Sequence, residues 1–287
     1  MQAEHSFFVP AFLAELVTHF VAESRIKPDQ LQRGIRLLRN MHRQVTYRSV
    51  EVPYDDLAVP FLYKYFGSNF ASTTMALRHF EVASNVSAQA TICDIGCGSG
   101  SSTAAFLLYL DASVKIKTRV SVIMYDRSLT QCNYARRVLE ALVPVCKHLQ
   151  IQSTVVMHDL RTAVPSVFDC AVGSFWLLGA FVFNELGLSV GRRLIRSATD
   201  IISGSVANSG LMIVENRISL LERLMECETD VAKAEPLFCD REYVVQGLEK
   251  LRRWSGVESP KTKVKAHGIL FRRRVEAPLR LQTSLGV

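Results

Sequence analysis

The chain has no C-x-x-C pair, no internal repeat, no low-complexity segment and no wholly apolar run of the ~18 residues that a membrane-spanning helix requires. Its longest apolar run, residues 171–183, includes Gly and Ser and falls short of that length. Seven cysteines form an odd, scattered set among 287 residues, which speaks against a disulfide framework and against a zinc ribbon. No metal site is therefore expected, and a reducing, cytoplasmic compartment is the expectation. The first residues lack a basic stretch ahead of their apolar ones and lack an Arg-rich amphipathic start, so neither a secretory signal nor a transit peptide is expected.

What is present describes a globular protein. Hydrophobic residues make up 48% of the chain and charged residues 21%, which excludes a disordered or fibrous class and suffices for a core without staples. The net charge of +7 is unevenly placed. Residues 1–90 hold 9 Lys and Arg against 8 Asp and Glu, residues 91–235 hold 14 against 14, and residues 236–287 hold 11 against 5. The basic excess thus belongs to the C-terminal end.

Hydrophobic spacing divides the chain into two parts, 1–85 and 86–287. In the first, Phe12, Leu13, Leu16, Val17 and Phe20 recur at helical spacing, as do Leu31, Ile35, Leu38 and His42 behind a Pro28-Asp29 start. A third helix is expected from about Ser68 to Phe80. The stretch from Tyr47 to Phe66, with Pro53, Pro60 and many aromatics, reads as an irregular connection. From Thr91 onward short apolar runs alternate with helical segments, the pattern of a doubly wound, mostly parallel α/β sheet. Strands are expected at 91–95, 120–125, 151–157, 169–174, 211–214 and 268–274, and helices at 101–110, 129–142, 190–202, 220–228 and 242–254.

The chemistry is concentrated in Asp94-Ile95-Gly96-Cys97-Gly98-Ser99-Gly100, where an apolar strand ends in an acid, passes three alternating glycines and enters a helix. Glycine admits positive φ and lets a ligand approach the backbone, and the following helix N-terminus suits an anionic group. A dinucleotide fingerprint places its third glycine one residue later. This D-x-G-x-G-x-G form resembles motif I of the class I S-adenosylmethionine-dependent methyltransferases, over about residues 85–275.

That resemblance implies a seven-stranded, Rossmann-like domain preceded by a helical lid, with S-adenosylmethionine as cofactor and S-adenosylhomocysteine as product. It implies cofactor contacts at Asp94, Gly96, Gly98 and Gly100. It further implies that Asp126, in Met124-Tyr125-Asp126, meets the ribose hydroxyls, and that Asp159, in Met157-His158-Asp159-Leu160, meets the adenine amino group. Ser174 and Phe175, at the end of the fourth expected strand, would lie beside the methionine portion. Asp126 as an N-cap, Asp159 as a turn residue and Ser174-Phe175 as the end of a buried strand are the plainer alternatives. Cys97 reads as a small filler.

The acceptor is less legible. No Asn/Asp/Ser-Pro-Pro-aromatic run follows the fourth strand and no Pro-Cys motif occurs, so the signatures of base methylation are missing. No catalytic residue is marked; Glu185 is a candidate base at the mouth of the site or else a solvated helix-start acid. Three functions stand: methyl transfer to nitrogen or oxygen of a small molecule; RNA methylation or ribosome assembly, supported by Arg252, Arg253, Lys261, Lys263, Lys265 and Arg272 to Arg274; and a silent cofactor-binding domain. A likeness to ribosomal small-subunit methyltransferase-like proteins at Phe183-Asn184-Glu185-Leu186 is opposed by the missing cysteine cluster. No membrane partner is expected.

Overall fold

Near-continuous burial along the central strands Gln89–Ile95, Ser174–Ala180 and Gly210–Glu215 marks a sheet covered by helices on both faces. The computed structural model describes residues 6–45, 52–162, 173–204, 209–215, 218–225, 232–238, 243–247, 257–261, 263–264 and 267–273. The elements are β1 (Ser6–Phe8), α1 (Ala11–Glu23), α2 (Pro28–Val45), α3 (Tyr54–His79), β2 (Gln89–Ile95), α4 (Ser101–Ser113), β3 (Thr118–Asp126), α5 (Leu129–Leu142) and β4 (Leu149–Met157). They continue with β5 (Ser174–Ala180), α6 (Phe183–Gly204), β6 (Gly210–Glu215), α7 (Ile218–Met225), β7 (Ala232–Phe238), β8 (Tyr243–Gln246), β9 (Lys263–Val264) and β10 (His267–Arg273).

The main sheet runs β4-β3-β2-β5-β6-β10-β7. β2 pairs in parallel with both β3 and β5, and β10 is antiparallel to β6 and β7. Successive side chains on a strand point to opposite faces. Ile92, Val122, Trp176 and Met212 accordingly enter one core with α1, α3, α4 and α5, while Cys93, Phe175, Leu177 and Ile213 enter the other with α6 and α7. A second, three-stranded sheet, β1-β8-β9, joins residues near the N-terminus to the C-terminal part.

Three expectations are corrected. The aromatic stretch from Tyr54 to Phe66 is helical, the first half of the 26-residue α3. Pro60 removes an amide donor from that helix, but its ring is packed where α2 presents Gly34, so the local loss is offset by interhelical contact. Tyr63 and Tyr65, about 200° apart on a helix, consequently serve different clusters. The helix expected at 242–254 is a strand where it is described: Tyr243-Val244-Val245-Gln246 suits a pleated surface, and Tyr243 and Val244 pair with β9 while Val244 to Gln246 pair with β1. Residues 248–256 lie outside the described residues.

The fourth strand of the wound domain is shifted. It was expected at 169–174, and the structure places it at Ser174–Ala180. The long apolar run 171–183 holds no internal mark of where strand begins, and only pairing with β2 and β6 sets the start. β7 was not foreseen.

The contact at Gly34 gives a test. A Cβ there would overlap Pro60 Cγ, so Gly34→Ala should lower stability by about 1–3 kcal/mol through overpacking. Chemical denaturation of the double variant Gly34→Ala/Pro60→Ala should recover part of that loss; an unaltered midpoint in the single variant would show that α2 and α3 are not in close contact there.

Candidate active site

The strand order reverses between β2 and β5, and in open α/β sheets that is where the carboxyl ends of strands leave a crevice. The cleft found there encloses about 880 Å³, open mouth included. Its floor is the loop after β2 and the start of α4 (Gly96, Gly98, Ser101, Ser102); one wall is Asp126, Arg127, His158 and Asp159; the other is Tyr54, Phe61 and Asn69 of α3 with Phe181, Val182 and Glu185.

The glycine loop explains its own composition. Gly96 has φ +65°, and a Cβ there would collide with Val182 in the segment after β5. Gly98 has φ +52°, and the nearest atom a Cβ would meet is Phe61 Cε1 at 3.5 Å. The loop is therefore packed from behind at Gly96 and left bare toward the cleft at Gly98. Gly100, against Ala135, caps α4 with no side-chain hydrogen bond, and the first turn is carried by Ser101 and Ser102 at the cleft floor.

The predicted acids take distinct places. Asp94 is buried behind the loop; Thr103 Oγ1 donates to its Oδ2 at 2.6 Å, and its Oδ1 is unpartnered. Burial pushes its carboxyl up to about 7, against the Thr103 bond. Asp126 ends β3 at the cleft, its Oδ2 accepting the Gly98 N–H and its Oδ1 the Ser128 N–H, both at 2.9 Å. Burial raises its pKa, opposed by those two amides. Asp159 also lines the cleft, but Arg161 clasps it through Nε at 2.9 and 3.0 Å, which holds its carboxyl down at about 2.

Ser174 and Phe175, expected beside the methionine portion, are buried in the sheet and do not line the cleft. Ser174 opposes Ala90 at the start of β2, whereas Asp94, at the loop end, opposes Leu178. Four residues of strand separate them by about 13 Å. Ser174 is fully buried and exchanges hydrogen bonds with Ser87, and the Phe175 N–H donates to Ser209 Oγ. The segment that does reach the cleft from β5 is Ala180-Phe181-Val182. A strand at 169–174 ends five residues short of this segment, so its place at the cleft is not legible in the sequence.

Glu185 belongs to the site. The Tyr54 hydroxyl donates to its Oε1, and His42 Nε2 lies 3.2 Å from the same hydroxyl. Since the single phenol proton goes to Glu185, His42 donates from Nε2. Burial raises Glu185 to about 7 even against the Tyr54 bond, raises Tyr54 well above its ordinary value and lowers His42. Tyr54 sits edge-on to Phe61 and beneath the Arg127 guanidinium, 5.6 Å from the ring centroid. In the sequence His42 is only part of a helical spacing and Tyr54 only part of an aromatic connection that suits a pocket wall; Glu185 is the one residue of the three marked as a candidate base.

Cys97 and Cys93 are buried, and burial holds both thiols well above their ordinary value, so neither is a nucleophile. Among the described residues no cluster of His, Cys, Asp or Glu could hold a metal ion, and no helix is long and apolar enough to cross a membrane. Of the basic C-terminal residues, Arg252, Arg253, Lys265 and Arg274 lie outside the described residues.

Counted within the main sheet, the strand order is 3-2-1-4-5-7-6 with the seventh antiparallel, and with the glycine loop on the first strand this is the class I, Rossmann-like methyltransferase fold. No family model and no curated protein matches the chain. Among solved structures it is similar to the plantazolicin methyltransferase BpumL in complex with S-adenosylhomocysteine, at 15% identity and TM-score 0.42, over 85% of this chain and 99% of that one. It is similar to a fibrillarin/Nop5p complex at 7% identity and TM-score 0.42, over 72% of this chain and 83% of the other. A third is an S-adenosylmethionine-dependent O-methyltransferase from Thermotoga maritima, at 13% identity and TM-score 0.41, over 85% and 72% of the two chains.

The raised carboxyl gives a pH test. Glu185 in the folded state titrates at about 7 instead of 4.5, so its contribution to stability is full at low pH and is lost as pH rises toward 7. The melting temperature of the wild type relative to Glu185→Gln should therefore fall between about pH 4.5 and 7 and level off above. A difference that stays flat over that window would mean the carboxyl is not perturbed.

Proposed function

We propose that the chain is an S-adenosylmethionine-dependent methyltransferase acting on oxygen or nitrogen of a small-molecule acceptor. The observation that carries this reading is the bare Gly98 backbone, tied by its amide to the Asp126 carboxylate, at the switch point of a 3-2-1-4-5-7-6 sheet. Asp126 retains acceptor capacity for ribose hydroxyls beyond its two amide bonds. The uncapped first turn of α4 suits the carboxylate of an amino acid. Asp159 at the cleft wall would face the adenine amino group, and Phe181 and Val182 take the place first given to Ser174 and Phe175.

When bound, the sulfonium cofactor supplies an electrophilic methyl group. The chain's own task is to hold donor and acceptor in line and to keep water out. We assign residues 86–287 to the cofactor and residues 1–85 to the acceptor side, because Tyr54, Phe61 and Asn69 of α3 wall the cleft opposite Asp126. The small-molecule reading is favoured over RNA by that wall, because α3 covers the side of the cleft opposite Asp126.

Calorimetry with S-adenosylhomocysteine tests this directly. The wild type should bind in the micromolar range. Asp126→Ala should weaken binding about 10- to 100-fold, as loss of hydrogen bonds to a charged group does. Asp159→Ala should weaken it less, because Arg161 already occupies that carboxylate, and Ser174→Ala should leave it unchanged. No binding to the folded wild type would end the reading; a larger loss at Asp159 than at Asp126 would reverse the two roles.

A further inference from the structure

We propose that Glu185 is the general base of the transfer, held in position by Tyr54 and His42, and that the acceptor is a hydroxyl compound with a planar ring, a phenol. The proposal rests on the methyltransferase reading above and deepens it.

The geometry has three parts. Glu185 stands in the cleft wall directly after β5, on the first turn of α6, where the backbone breaks at Gly187. Its Oε1 is anchored by the Tyr54 hydroxyl, and among the described residues no hydrogen bond to Oε2 is formed. Glu185 itself lines the cleft, and Oε2 is the carboxylate oxygen that the Tyr54 bond leaves over. Finally, Tyr54 is itself backed by His42, whose imidazole is enclosed by Tyr54, Phe61 and Tyr65 with ring centroids 5.5–6.4 Å away.

Such an arrangement is wasteful as structure alone. Two half-buried polar groups, His42 of α2 and Tyr54 of α3, are spent on aiming one carboxylate oxygen of α6. It makes sense for a base, because an amine acceptor needs only to be presented unprotonated, whereas a hydroxyl needs a proton acceptor within reach. Two planar rings, Phe61 and Phe181, line the same cleft together with the aliphatic Leu186 and offer an apolar surface on which an aromatic acceptor can lie.

In the step, the acceptor O–H bond breaks and its proton passes to Glu185 Oε2. The oxygen forms a bond to the methyl carbon, and the sulfonium sulfur keeps the electron pair of the broken S–C bond. The products are a methyl ether, S-adenosylhomocysteine and a protonated Glu185, which returns its proton to solvent. The charged and titratable groups facing Glu185 are Tyr54 on α3, Asp126 and Arg127 at the end of β3, and Arg161 after β4; behind Tyr54, His42 faces Lys261. Burial and Asp126 favour the protonated acid, and Tyr54, Arg127 and Arg161 favour the carboxylate.

The test uses the full chain saturated with S-adenosylhomocysteine. The carboxyl titration of Glu185 is read by infrared difference spectroscopy, with Glu185→Gln to assign the band, in wild type and Tyr54→Phe. The expected midpoint is about 7 in the wild type, and it moves upward in Tyr54→Phe because a bond to the charged form is gone. Transfer of labelled methyl from S-adenosylmethionine to a panel of simple phenols is then followed from pH 6 to 9. Glu185→Gln should lose about 10²-fold or more in rate and lose the acidic limb of the profile, while Tyr54→Phe keeps the limb shifted to higher pH. A Glu185→Gln rate within threefold of wild type, or identical titrations in wild type and Tyr54→Phe, overturns the proposal. If Glu185→Gln does not fold, the Tyr54→Phe titration decides alone. Wild type that binds S-adenosylhomocysteine but methylates no phenol overturns the phenol class. Failure to bind S-adenosylhomocysteine at all overturns the reading beneath it.

Discussion

Parallel pairing of β2 with β3 on one side and β5 on the other is the constraint from which the site follows. Each parallel neighbour needs a crossover, and the two crossovers leave in opposite directions, so the chain opens between them at the carboxyl ends. The opening is narrow at its base: Gly96 lies so close to Val182 that no side chain fits. Above that contact the loop turns outward, and Gly98 is pinned by Asp126 from the neighbouring strand. The cleft is thus a property of strand order first and of individual residues second.

α3 converts this opening into a pocket. Most of the helix is buried, with α1 and α2 on one side and α4 on the other, and Thr73 Oγ1 meets Ser102 Oγ at 3.3 Å beside the cleft floor. Lys64, near its middle, is almost wholly buried and is satisfied by Glu258 and by the Ser259 carbonyl at 2.8 Å. A buried ammonium left unpaired would be costly, so the segment at 257–261 is held against the helix by the same bonds. With β1 paired to β8, the segment before α1 is tied to a segment that follows the main domain's sixth strand, and α3 of the N-terminal helices lines the cleft.

Four carboxylates in or behind one cleft are differentiated by surroundings alone. Asp94, Asp126 and Glu185 are raised by burial, and Asp159 is lowered by Arg161. A raised acid beside a lowered one is how a single site separates proton-handling groups from permanently charged ones. Here the separation follows partner supply: Asp159 has a guanidinium two residues away in sequence, whereas Glu185 has a phenol that comes from another helix.

The glycine loop, the acids ending β3 and β4, the helices α1, α4 and α5, and the alternation of strand and helix were legible in the sequence because each depends on local spacing or on residues a few positions apart. The start of β5 was not, since the run at 171–183 carries no charge or proline to mark it and only its pairing with β2 distinguishes one register from another. Nor was the helicity of Tyr54 to Phe66, where two prolines argue for a break and burial against α2 and α4 overrides them. The union of His42, Tyr54 and Glu185 spans 143 residues of chain, with 131 of them between Tyr54 and Glu185. By itself the sequence determined what kind of sheet this is and where its glycine loop lies. Only the tertiary structure decided which side chains share the cleft, because contacts between distant elements are set by packing, which no local pattern records.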